Sequence, residues 1–160
     1  MATRPCNGRP NNKSRPCHPE ELNWQLLNQH DDDMKSLLLV ALGGAIGSIA
    51  RFKIAGLVTH RFIDLSFPLG TFVVNVAGCL LVGLLAGLAV KEEFFSSDVR
   101  LFLFTGIMGG FTTFSAFGLE TFNLLKREQI AIAGTYVSSS VICGLLALWA
   151  GFSVIHHLSR

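Results

Sequence analysis

The chain has 160 residues, half of them hydrophobic and 15% charged, with a formal net charge of +2. Its mean hydropathy is +0.47, and its charges gather at one end and in a few short connections. These features exclude a soluble domain whose helices each keep a solvated face, and they leave an integral membrane protein.

Residues 1–33 differ from the rest. Arg4, Arg9, Lys13 and Arg15 alternate with prolines, and Glu20, Glu21 and Asp31-Asp32-Asp33 follow. Such a segment buries too little apolar surface to fold alone and predicts a disordered tail. It also lacks the hydrophobic core of a signal peptide. Met34-Lys35 directly precedes the first apolar run, so Met34 is the expected physiological start, or residues 1–33 a dispensable tail. Cys6, Cys17, His18 and His30 fit no standard zinc spacing. Cys79 and Cys143 fall in apolar stretches, where cysteine packs as a small hydrophobe.

Residues 34–160 carry four apolar stretches: Ser36 to Val58, Phe67 to Val90, Leu101 to Leu125 and Ile130 to Ile155. At about 1.5 Å per residue, each helix crosses a hydrocarbon core of about 30 Å. Runs such as Leu37-Leu38-Leu39-Val40 lack the alternation of a membrane β-barrel. The fold class is therefore all-α integral membrane, one domain of four transmembrane helices. Short connections such as Lys126-Arg127-Glu128-Gln129 make successive helices antiparallel neighbours.

Orientation is weakly specified. Without the tail, one side holds Lys35, Lys91, Arg100 and Arg160, and the other Arg51, Lys53, Arg61, Lys126 and Arg127. That balance gives no positive-inside instruction. A four-helix chain that inserts both ways can build an antiparallel homodimer, supplying the inverted symmetry that larger transporters encode as repeats. The pairs Gly43/Gly47, Gly83/Gly87 and Gly106/Gly110 let helix backbones approach closely.

Polar groups inside spans are costly unless paired or facing a cavity. In the second stretch, Thr71 and Asn75 lie one turn apart. The Asn75 amide offers two donors that can replace part of an anion's water, or it forms an ordinary interhelical hydrogen bond. In the third, Gly109-Gly110-Phe111-Thr112-Thr113-Phe114-Ser115-Ala116-Phe117 predicts a helix broken at its centre. Such a break survives in hydrocarbon only within protein or beside water, and broken helices tend to mark ion or substrate sites. Phe114 and Phe117 share a face beyond it; they are packing, or they aim electropositive ring edges at a small anion. Glu120 follows one turn later, at a vestibule or paired with a base such as Arg51. In the fourth, Tyr136 and Ser140 share a face, either as a wet hydroxyl ladder or as caps on helix carbonyls.

Gly43-Gly44-Ala45-Ile46-Gly47-Ser48-Ile49-Ala50-Arg51-Phe52 resembles the first-helix signature of the Fluc (CrcB) fluoride channel family. Phe67 to Gly78 resembles its second-helix motif, and Gly109 to Phe117 its third-helix motif, in the same order and spacing. The resemblance runs from about Met34 to the C-terminus. It implies a dual-topology antiparallel homodimer with two passive fluoride pores in the cell inner membrane or plasma membrane. Its implied partners are fluoride, the lipid bilayer and a second copy of the chain, with no nucleic acid. It further implies a structural Na+ at the dimer centre, held by the backbone carbonyls of Gly109 and Thr112. By the same resemblance Phe114 and Phe117 line the fluoride path, Asn75 donates to the ion, Thr71 belongs to the pore, Tyr136 and Ser140 belong to a polar track, and Glu120 and Arg51 lie near pore ends. Met108 stands where the family often has cysteine, and Gly144 where a track hydroxyl is common.

The alternative is a small dual-topology proton-coupled drug or cation exporter. Such a protein needs a carboxylate deep in a span, and Glu120 is the only acid well inside one. A noncatalytic assembly subunit would use the break as a packing kink. No nucleophile with its base and no metal triad is visible, so the chain is not expected to be an enzyme.

Overall fold

A computed structural model describes residues 19–62, 65–90 and 95–158, with side chains described for 33–62, 65–90 and 95–157. The expected tail up to His18, with Cys6 and Cys17, lies outside the described residues, as do Lys91 and Arg160. The chain divides into two units after Leu38. Helix α1 (Pro19–Arg61) begins in the first unit, so the stretch from Pro19 to Asp33 is helical there. A proline suits the opening of a helix, where its missing N–H costs no hydrogen bond.

The second unit continues α1 and adds α2 (Leu69–Ala89), the short α3 (Ser97–Arg100), a π-helical segment (Leu101–Met108), α4 (Gly109–Phe111), α5 (Phe114–Lys126) and α6 (Ile130–Leu158). No strand occurs among the described residues. Four stretches are long and apolar enough to cross a membrane: Asp33–Arg61, Leu69–Ala89, Ser97–Lys126 and Ile130–His157. The third starts earlier than the Leu101 expected, because the Ser96 side chain caps the α3 amide of Val99.

The glycine pairs read from the sequence find partners. A methyl group added to Gly43 would stand 2.7 Å from the Phe102 carbonyl, and one on Gly47 would collide with the Ile107 carbonyl. One on Gly110 would meet the Gly44 carbonyl at 2.5 Å. The small face of α1 therefore lies backbone to backbone against the third span. Gly83 of α2 does the same against the Leu148 carbonyl of α6, and Gly87 admits the Ile155 side chain and the Phe152 carbonyl. Gly144 is buried, with an added methyl 3.3 Å from the Cys79 sulfur.

A tight turn joins α5 to α6. Glu128 adopts a φ of 59°, its N–H donates to the Leu125 carbonyl, and the Gln129 N–H donates to the Leu124 carbonyl, both at 3.0 Å. This is a Schellman closure, with glutamate at the left-handed position that glycine usually fills.

Candidate functional site

The third span breaks at Thr112-Thr113. Both residues are extended, with φ/ψ of −83°/156° and −150°/116°, between α4 and α5. The Thr112 N–H and hydroxyl both donate to the Met108 carbonyl, at 3.0 and 2.9 Å. Across the break, the Thr113 hydroxyl accepts from the Ala116 N–H at 3.2 Å and caps α5. Thr112 fits beside α2 because position 78 is glycine, where an added methyl would strike the Thr112 side chain.

Asn75 holds Thr113 by both backbone groups. Its Nδ2 donates to the Thr113 carbonyl at 3.2 Å, and its Oδ1 accepts from the Thr113 N–H at 2.9 Å. Of the two readings of Asn75 from the sequence, the structure displays the interhelical bond, which uses one of the two amide protons. From α1, the Ser48 hydroxyl reaches the Gly110 carbonyl at 3.5 Å.

Beyond the break, α5 presents Phe114, Phe117 and Glu120 in successive turns. Phe114 is 84% exposed within the single chain, its ring centroid 5.7 Å from that of Phe117. Phe117 in turn lies 5.2 Å from the Tyr136 ring. Phe67 closes the other side of Tyr136 edge-on at 5.3 Å, so the tyrosine is wholly buried.

Glu120 gathers two hydroxyls: Thr71 Oγ1 donates to Oε1 and Tyr136 OH to Oε2, each at 2.7 Å. Both Glu120 oxygens therefore go to hydroxyls and not to Arg51, although Glu120 and Arg51 line one open cleft of about 610 Å³ together with Thr59, His60, Thr71 and Thr113. Asn75, Phe114, Phe117, Tyr136 and Ser140 are not among its lining residues.

The α6 hydroxyls divide. Thr135, Ser138 and Ser139 donate to carbonyls of their own helix, the capping alternative. Ser140 does not: its Oγ is buried without a hydrogen-bond partner. One turn before it, Tyr136 points its hydroxyl at Glu120.

The sequence therefore names Thr71, Glu120 and Tyr136, which the structure brings into one cluster, and Asn75, which it sets against the break. Phe114 and Phe117 adjoin that cluster through the Tyr136 ring. Two contributors went unnamed. Thr113 carried a signal, being a threonine immediately before a helical run, where N-caps sit. Phe67 carried none, since an aromatic before a proline has many uses.

The family described as "CrcB-like protein, Camphor Resistance (CrcB)" matches residues 38–152, which include every residue of this site. A protein of Methylobacillus flagellatus named "Fluoride-specific ion channel FluC" is 57% identical over 122 residues, covering 76% of this chain and 95% of that protein. Proteins of the same name from Hyphomonas neptunium and Flavobacterium psychrophilum are 52% and 45% identical, covering 74% and 78% of this chain and 93% and 100% of their own lengths. With four membrane-length spans and this match over most of its length, the chain is a multi-pass membrane protein that belongs to the CrcB-like family.

Proposed function

We propose that this chain is a fluoride-selective passive ion channel that lets cytoplasmic fluoride leave the cell down its gradient and so lowers its toxicity. The observation that carries the reading is the 57% identity to a protein named a fluoride-specific ion channel. Membership of a family whose relatives are named ion channels makes the chain a channel and not an enzyme.

The working unit is an antiparallel homodimer with two pores, its subunits inserted in opposite orientations. Support comes from Phe114, whose ring stands 84% exposed where the chain alone gives it little to line. A second copy supplies the missing wall. Fluoride is small and strongly hydrated, so its path must replace water with close donors and ring edges. Phe114 and Phe117 offer the edges and Asn75 its unused amide proton. Thr71, Tyr136 and Ser140 form the polar track, with Thr71 and Tyr136 oriented by Glu120 and the unpartnered Ser140 hydroxyl available to an ion or its water.

A structural sodium ion belongs at the dimer centre, held by the carbonyls of Gly109 and Thr112. The residues fit it: backbone oxygens are hard ligands, Gly109 is exposed on the chain surface, and the extended ψ of Thr112 turns its carbonyl out of the helical ladder. When bound, the ion supplies a fixed positive potential that favours anions. Backbone oxygens provide for it without a metal-binding cluster of acidic, histidine or cysteine side chains.

Fluoride and chloride efflux from liposomes containing the purified protein, under a potassium/valinomycin clamp, tests the reading. Rapid fluoride release with negligible chloride release is expected. No fluoride release from verified folded dimer would overturn it and turn attention to proton-coupled exchange at Glu120.

A further inference from the structure

An uninterrupted α-helix pairs each carbonyl with the N–H four residues on. The Gly109 carbonyl would then take the Thr113 N–H, and the Thr112 carbonyl the Ala116 N–H. Neither donor is delivered. The Thr113 N–H goes to Asn75 Oδ1 at 2.9 Å, and the Ala116 N–H goes to Thr113 Oγ1 at 3.2 Å.

Two neighbouring carbonyls are treated differently. That of Gly110 is met by the Ser48 hydroxyl, and that of Thr113 by Asn75 Nδ2. The pattern is selective: side-chain acceptors remove the donors of positions 109 and 112, while side-chain donors cover positions 110 and 113.

We propose that the side chains of Asn75 and Thr113 are positioning groups that release the Gly109 and Thr112 carbonyls for the sodium ion by capturing the amides that would otherwise close on them. The inference rests on the sodium reading given above. Each side chain acts as a competing acceptor, so the acceptor atom is what matters. Without Asn75 Oδ1 the Thr113 N–H falls back toward Gly109, and without Thr113 Oγ1 the Ala116 N–H falls back toward Thr112. A carbonyl already accepting an amide is a poorer cation ligand, because its oxygen is partly committed.

The test is equilibrium dialysis of the purified full-length dimer against radioactive sodium, with N-methylglucamine chloride holding ionic strength constant. Circular dichroism and gel filtration check that each variant is folded. Thr113→Val should lower sodium affinity by about 10- to 100-fold, the usual cost of losing an outer-shell partner, while Thr113→Ser restores it. Asn75 separates this role from a general structural one. Asn75→Leu, which loses the acceptor, should lose sodium binding. Asn75→Asp keeps the acceptor for the Thr113 N–H but sets its second oxygen against the Thr113 carbonyl, so it should retain more sodium binding than Asn75→Leu, while its fluoride flux falls sharply because the amide donor is gone.

Parent-like sodium binding by folded Thr113→Val and Asn75→Leu would overturn the proposal and leave the sodium site standing. Equal loss in Asn75→Asp and Asn75→Leu would also overturn it, reducing Asn75 to a structural clamp. Absence of saturable sodium binding by the parent protein would remove the sodium reading and this inference together.

Discussion

Tyr136 donates its hydroxyl proton to Glu120 across the α5–α6 contact at 2.7 Å, while its ring is entirely shielded from the surroundings. Thr71 donates to the other carboxylate oxygen at the same distance. One carboxyl group thus ties three spans together by accepting two hydroxyl bonds.

Removing either end of that bond should therefore weaken the other's contribution. A double-mutant cycle of Tyr136→Phe with Glu120→Leu, read by dodecyl sulfate unfolding in mixed micelles, should give a coupling energy of about 1–2 kcal/mol, the range of a membrane hydrogen bond. Strict additivity would show that the two side chains are neighbours without a shared bond.

Phe114→Ile keeps an apolar group but deletes the ring edge. A ring contact is worth about 0.5–1.5 kcal/mol, and each pore loses the same contact, so fluoride flux should fall by about two- to tenfold. Chloride flux should stay negligible and the fold intact, since Phe114 is largely exposed. Undiminished fluoride efflux in liposomes would remove Phe114 from the path.

Gly44 and Gly47 offer a paired test of backbone approach. A methyl at Gly44 meets nothing within 4 Å, whereas one at Gly47 strikes the Ile107 carbonyl. Gly44→Ala should be neutral or up to about 1 kcal/mol stabilising, the ordinary helix preference for alanine. Gly47→Ala should cost about 1–3 kcal/mol, as overpacking does. The difference between their unfolding midpoints checks it.

Much of the architecture was legible because apolar length fixes spans and because glycine, threonine and serine are conspicuous in hydrocarbon. The glycine pairs could be seen, though which faced which could not, since small residues announce proximity without naming a neighbour. Gly109 to Phe117 announced its interruption. The division of labour at that interruption was hidden: whether an amide side chain faces an ion or a backbone depends on where a second helix stands, which Asn75 alone does not encode. The α5–α6 turn was hidden for a different reason, because Glu128 takes a conformation normally signalled by glycine.

That last residue gives a simple stability test. A non-glycine residue in the left-handed region costs about 1–2 kcal/mol in its backbone, so Glu128→Gly should raise stability by about 1 kcal/mol after the entropy cost of glycine is counted. An upward shift in unfolding midpoint is expected, with fluoride flux unchanged, because Glu128 lies on the exposed turn. A downward shift would mean that the Glu128 side chain contributes more than its backbone costs.

The π-helical segment from Leu101 to Met108 sets the angle at which everything after it is presented. A π turn carries more residues than an α turn, so its contribution lies in the number of residues as well as their identity. Removing any one of these eight and letting the rest rewind as α would change the total turn of the segment and so the direction in which the downstream chain leaves it. Thr112 and Phe114 would then point toward different neighbours with no change in their own chemistry. In this stretch the chain length is itself a specification, one that point substitution tests poorly and single-residue deletion tests directly.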